Sequence, residues 1–111
     1  MEIATQQRQG SLVVSVTGRL DAVTTVDFEK RCGALVAEGN HRVLVDFSAL
    51  EYISSAGLRS LLTLAKKLHS MKGGLALCGC KGMVRDVVSL SGFDSFLPMH
   101  DDVDGALKAG S

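Results

Sequence analysis

The sequence predicts an α/β fold: a mixed β-sheet covered by helices, with element order ββαβαβαβα. Three observations lead there. Short β-branched runs alternate along the chain with segments whose apolar residues recur at helical spacing. A tight turn at Gln9-Gly10-Ser11 joins the first two strands, which must then be antiparallel. Further along, Val43-Leu44-Val45-Asp46-Phe47 is almost continuously apolar, as in a strand covered on both faces.

Each element has its own justification. Residues 2–8 read as a weak strand, and Leu12-Val13-Val14-Ser15-Val16-Thr17 as a strong one. Val23-Thr24-Thr25-Val26 favours a strand by propensity, but Thr24 followed by Asp27 resembles a helix-capping pair. Phe28, Cys32, Leu35 and Val36 then mark one helix face, and Gly39-Asn40 ends it. After the buried strand, a short loop leads to a helix from about Ser55 to Met71. Its apolar stripe is Leu58, Leu61, Leu62, Ala65 and Leu68, with Arg59, Ser60, Thr63, Lys66 and Lys67 towards water. Gly73-Gly74 stops it. Leu75-Ala76-Leu77-Cys78 is another buried strand, and Met83, Val84, Val87 and Val88 mark a third helix closed by Gly92. Phe96-Leu97-Pro98-Met99 reads as a short edge strand, since Pro98 has no N–H to donate. Asp101 or Asp102 caps a last short helix through Val103, Ala106 and Leu107.

Composition narrows the function. With 111 residues, one domain over 1–111 is expected, and 46% apolar residues suffice for a core without disulfides or metal. A net charge of zero argues against nucleic acid and a polybasic membrane surface. The N-terminus has no basic, apolar leader, and no apolar run approaches the ~20 residues that cross a bilayer. A cytoplasmic protein is therefore expected. The three cysteines lack the spacing of a zinc site and read as reduced, packed thiols, with Cys78 and Cys80 on one strand face. No metal or cofactor is expected.

The informative segment is Asp46-Phe47-Ser48-Ala49-Leu50-Glu51-Tyr52-Ile53-Ser54-Ser55-Ala56-Gly57-Leu58-Arg59. A strand ends, a loop follows, and small residues open a helix, leaving backbone N–H groups and the positive end of the dipole uncovered. A phosphate on Ser55 would be favoured there. A serine at a helix start is, however, most often only a cap, and Gly57 is explained equally by close packing on the sheet.

Asp46-Phe47-Ser48 with Tyr52-Ile53-Ser54-Ser55-Ala56-Gly57-Leu58 resembles the signature of the STAS domain, as found in bacterial anti-sigma factor antagonists. Gly18-Arg19-Leu20-Asp21 resembles the family's turn after the second strand, and Ser91-Gly92-Phe93 followed by Phe96 its exit from the third helix. The resemblance implies a partner switch rather than an enzyme. Such antagonists bind an anti-sigma factor that is also a serine kinase, which frees the sigma factor. The kinase phosphorylates a serine at the start of the central helix, the complex separates, and a serine phosphatase resets it. By position that serine is Ser55, with Ser54 as second choice. The implied partner-binding set is Asp21, Ser54, Ser55, Ala56, Gly57 and Arg59. Many relatives carry aspartate where this chain has Ser54, which removes a charge beside the acceptor. The default is a monomer, with no nucleic acid and no membrane insertion.

Two other readings stand beside this one. Stand-alone STAS proteins also serve in bacterial lipid ABC-transport complexes. A small hydrolase would need Ser55 with Asp21 or Asp46 and one of His41, His69 or His100, but the sequence has no G-x-S-x-G elbow and no Gly-rich phosphate loop.

Overall fold

The computed structural model describes residues 1–95 and 97–109. The chain runs β1 (Glu2–Arg8), β2 (Ser11–Leu20), α1 (Thr24–Ala37), β3 (Arg42–Asp46), β4 (Leu50–Ile53), α2 (Ser55–Ser70), β5 (Gly74–Cys78), α3 (Gly82–Leu90), a 3-10 turn at Phe93–Ser95, β6 (Met99–His100) and α4 (Val103–Ala109). The α/β class and the mixed sheet are as the sequence predicts, with β4 as an additional strand. The path through the sheet is β1-β2-β3-β5-β6, and β4 pairs with β2 off this path. Among the described residues, β1 and β2 pair antiparallel and the other pairings are parallel. Gln9 (φ 50°) and Gly10 (φ 82°) form the hairpin loop, and positive φ at both positions matches the twist of the strands.

β2 holds two partners in series. Leu12 to Ser15 lie beside Val43 to Asp46 of β3, and Gly18 to Leu20 lie beside β4. The register slips between Gly18 and Arg19, where Gly18 takes φ 96° and donates its N–H to Ala49 O at 3.1 Å. This irregularity lets one strand turn from β3 to β4.

The pleat separates two cores. Leu12, Val14, Val16, Val43, Val45, Leu75 and Leu77 pack against Phe28, Cys32 and Val36 of α1, Leu58, Leu61, Leu64 and Leu68 of α2, and Val84 and Val88 of α3. Val13, Leu44 and Cys78 face the other way, onto Ala106 and Leu107 of α4. Asp102 Oδ1 accepts the Gly105 N–H at 2.7 Å and so caps α4, which is further tied to β1 by Arg8 and Asp104 at 3.1 Å. No helix among the described residues is long and apolar enough to cross a membrane.

Four local expectations need correction. The start of α1 is capped by Asp21, outside the helix, rather than by a Thr24–Asp27 pair. Ser60 is buried, because α1 packs on that flank of α2, and Leu64 joins the buried stripe. The two neighbouring thiols lie in different cores: β5 ends at Cys78, and Gly79 at φ 74° breaks the alternation, sending Cys80 to the helix-covered side. The last strand is Met99–His100, with Pro98 contributing a carbonyl to Leu77 N at 2.9 Å; Phe96 lies outside the described residues.

Burial raises the thiols of Cys32 and Cys80 to about 11, and burial together with the Asp46 carboxylate raises that of Cys78 to about 12. All three should resist a thiol reagent at pH 8 in the native protein and react on unfolding. A spectrophotometric titration with and without denaturant checks this, and one fast native thiol would contradict it. The bend between α2 and β5 gives a second test. A Cβ on Gly73 would collide with the His41 carbonyl, whereas one on Gly74 meets nothing within 4 Å. Gly73→Ala should cost about 3 kcal/mol in denaturant unfolding and Gly74→Ala almost nothing.

Candidate functional site: the start of the central helix

The residues singled out by sequence converge where β2 and β4 end and α1 and α2 begin. Leu20 of β2 pairs with Ile53 of β4, and the next backbone N–H, that of Ser54, donates to Leu20 O at 2.9 Å. α2 is thus pinned to the end of β2 at its N-cap. Ser54 has extended backbone (φ −95°, ψ 173°), and its Oγ accepts the Gly57 N–H at 3.2 Å, while its carbonyl accepts the Leu58 N–H at 3.0 Å. It is the N-cap of α2.

Ser55 follows as the first helical residue and is exposed. Among the described residues none bonds to its hydroxyl, and none accepts from the N–H of Ser55 or Ala56. Gly57 is buried for a reason the geometry makes plain. A Cβ there would stand 2.9 Å from both Leu20 O and Ile53 Cγ1. Its hydrogen atom lets the first turn of α2 lie on the sheet edge. Arg59, one turn on, is exposed.

Asp21 sits across from this turn. Its Oδ1 accepts the N–H groups of Val23 and Thr24, each at 3.0 Å, and Thr24 Oγ1 in return accepts the Asp21 N–H at 2.9 Å and donates to Arg19 O at 2.9 Å. Asp21 is therefore a turn and capping residue in this structure, and Arg19 Nε lies 4.0 Å from its Oδ2. Arg19 also stacks over Tyr52, 4.2 Å from the ring centroid. This pair escapes sequence reading, because only the pairing of β2 with β4 places the two residues side by side.

The arrangement does not assemble a hydrolase. His69 is near the far end of α2, roughly 20 Å from Ser55 along the axis. His41 precedes β3, at the opposite end of the parallel strands, and His100 lies in β6, three strands from β2. Asp46 Oδ1 accepts the Ser48 N–H at 2.9 Å, which shapes the loop after β3.

The hydrogen bonds to Thr24 hold the Asp21 carboxyl below its ordinary value of 3.8, against a smaller opposing effect of desolvation; Val23 and Arg19 assist. A depressed carboxylate stabilises the fold above pH 3.8 and loses that contribution as the pH falls through its lowered value. Asp21→Asn should therefore lose less stability than the native protein between pH 4 and pH 2, as measured by thermal unfolding across that range. Parallel acid limbs would contradict the assignment of the cap.

Comparison with known proteins bears on the family and the fold. The STAS domain family model matches residues 2–106. BtrV of Bordetella bronchiseptica, named as a candidate anti-sigma factor antagonist, is 36% identical over 109 residues, covering 98% of this chain and 94% of that protein. The anti-sigma-F factor antagonist RsfB of Mycobacterium tuberculosis is 29% identical over 93% of this chain and 87% of its own length. Among solved structures, an anti-sigma factor antagonist from Mycobacterium paratuberculosis superposes with a TM-score of 0.90 at 31% identity, covering 97% and 92% of the two chains. The phosphorylated form of the Bacillus protein SpoIIAA, at 17% identity and a TM-score of 0.77, shares the fold. With its pinned helix start, close glycine contact and these matches over nearly its whole length, the chain belongs to the STAS domain family.

Proposed function

We propose that this chain is an anti-sigma factor antagonist, working as a partner switch controlled by phosphorylation of Ser55. Unphosphorylated, it binds an anti-sigma factor serine kinase and frees the sigma factor. Phosphorylated by that kinase it lets go, and a serine phosphatase resets it. The chain is then the kinase's substrate and a regulator, not a catalyst. The functions for which BtrV, RsfB and the Mycobacterium paratuberculosis protein are named support this reading.

The observation that carries the choice of residue is the division of labour between two adjacent serines. The Ser54 hydroxyl is engaged as the helix cap, whereas the Ser55 hydroxyl is exposed. Transfer to Ser55 leaves the cap untouched, whereas the Ser54 oxygen is already engaged with the Gly57 N–H. A phosphate on Ser55 would also lie beside the N–H groups of Ser55 and Ala56 at the positive end of the α2 dipole, which accommodates the charge without remodelling the fold. The switch then acts at the interface. Close to two negative charges arrive on a surface that was neutral at that point, and a partner fitted to the bare serine must bury them without compensation. The docking surface comprises Asp21, Ser54, Ser55, Ala56 and Arg59, with the buried Gly57 seating the first turn of α2 beneath it. Arg59, one turn along, only partly offsets the phosphate.

Incubation with the anti-sigma factor serine kinase of the same organism and ATP, followed by peptide mapping, should place phosphate on Ser55. Ser55→Ala should take up no phosphate and still bind the kinase. Ser55→Asp should bind on the order of a hundredfold more weakly. Phosphate on Ser54 alone, or wild-type binding by Ser55→Asp, would overturn the reading.

A further inference from the structure

In a core of apolar side chains, the buried polar side chains among the described residues are Thr25, 7% exposed, and Ser60, 2% exposed. They are hydrogen-bonded to each other across the contact between α1 and α2. Ser60 Oγ also lies 2.5 Å from Glu29 Oε1 of α1 and 3.2 Å from Ala56 O in its own helix. Each hydroxyl has one proton. With Thr25 donating to Ser60, the Ser60 proton goes either to the Glu29 carboxylate or to Ala56 O. The link therefore ties Ser60, in the second turn of α2, to Thr25 and Glu29 of α1, one turn after Ala56.

Stability does not call for this arrangement. Replacing both partners of a buried hydrogen bond by apolar groups of similar shape is often neutral or favourable. An aliphatic contact, however, lacks direction and lets two helices slide, whereas a hydrogen-bonded pair has one register. The Ser54 N–H bond to Leu20 O pins the start of α2 to the sheet, but its first turn offers no directional contact of its own to α1: Ser55 is exposed and Gly57 has no side chain. The start of α1 is meanwhile held by the Asp21 cap, with Thr25 N donating to Asp21 O at 2.9 Å.

We infer that Thr25 and Ser60 are positioning residues for the phosphoacceptor: their hydroxyl pair fixes where Ser55 stands relative to the Asp21 turn, so that a kinase docked on this end of the molecule finds the serine within reach. The inference rests on the reading of Ser55 as acceptor. It assigns the pair to the transfer step and not to docking, because both side chains are buried and neither is available to a partner.

The test is the Thr25→Val, Ser60→Ala double variant, compared with Thr25→Ser, which keeps the hydroxyl. Phosphorylation by the same kinase with ATP is followed at varied concentrations of the chain. The double variant should show kcat lower by about tenfold, with KM within about twofold and little change in Tm. Thr25→Ser should behave as the native chain. Native kcat in the double variant would overturn the inference, and so would a fall in kcat shared by Thr25→Ser. If the native chain itself takes no phosphate, the proposed function fails, and hydrogen exchange judges the positioning separately. The double variant should then exchange the Leu58 and Arg59 amides faster than the native chain, with the second half of α2 unchanged. Unchanged exchange at Leu58 and Arg59 would overturn it.

Discussion

The hydrogen bond from the Ser54 N–H to Leu20 O, 2.9 Å long, is the constraint on which the candidate site depends. It fixes α2 to the sheet at the residue where the helix begins. Three other features are needed for it to form. β2 must run on past β3 to meet β4, the bulge at Gly18 must redirect it, and Gly57 must carry no side chain. Each of these is a backbone property, so the site is built mainly from main-chain geometry. Side chains then specialise it: Ser54 caps, Ser55 is presented and Asp21 closes the facing turn.

This construction suits a switch that changes charge without changing shape. The exposed hydroxyl bears no structural duty, so modification costs the fold little, while the helix start tolerates an anion. On the proposed function, the burden falls on whatever surface is fitted to the unmodified serine. Rigidity matters for the same reason. On the proposed function, a surface read by two partners in turn must present the same geometry to both, and the buried hydroxyl pair between α1 and α2 supplies direction that the surrounding apolar core cannot.

Elements defined by local pattern were legible in advance. The hairpin turn, the buried run at Val43 to Phe47, the apolar stripe of α2 and the small residues at its start all follow from spacing and turn chemistry. Features that depend on neighbours were not. Leu50-Glu51-Tyr52-Ile53 is too short to declare itself a strand and becomes one by pairing with the end of β2. Ser60 reads as a solvent-facing residue until α1 covers it.

The sequence by itself determined the α/β class, the order of most elements, the place of the candidate serine and the family resemblance, because these rest on local periodicity and on contiguous motifs. Tertiary structure alone decided which of two adjacent serines caps the helix and which is exposed. It also turned Asp21 into a cap, stacked Arg19 on Tyr52, sent Cys78 and Cys80 into separate cores, and joined Thr25 to Ser60. The physical reason is common to all of these: a hydrogen bond, a stacking contact or a burial depends on distance in space, and residues 33 apart (Arg19 and Tyr52) meet only after the strands have paired.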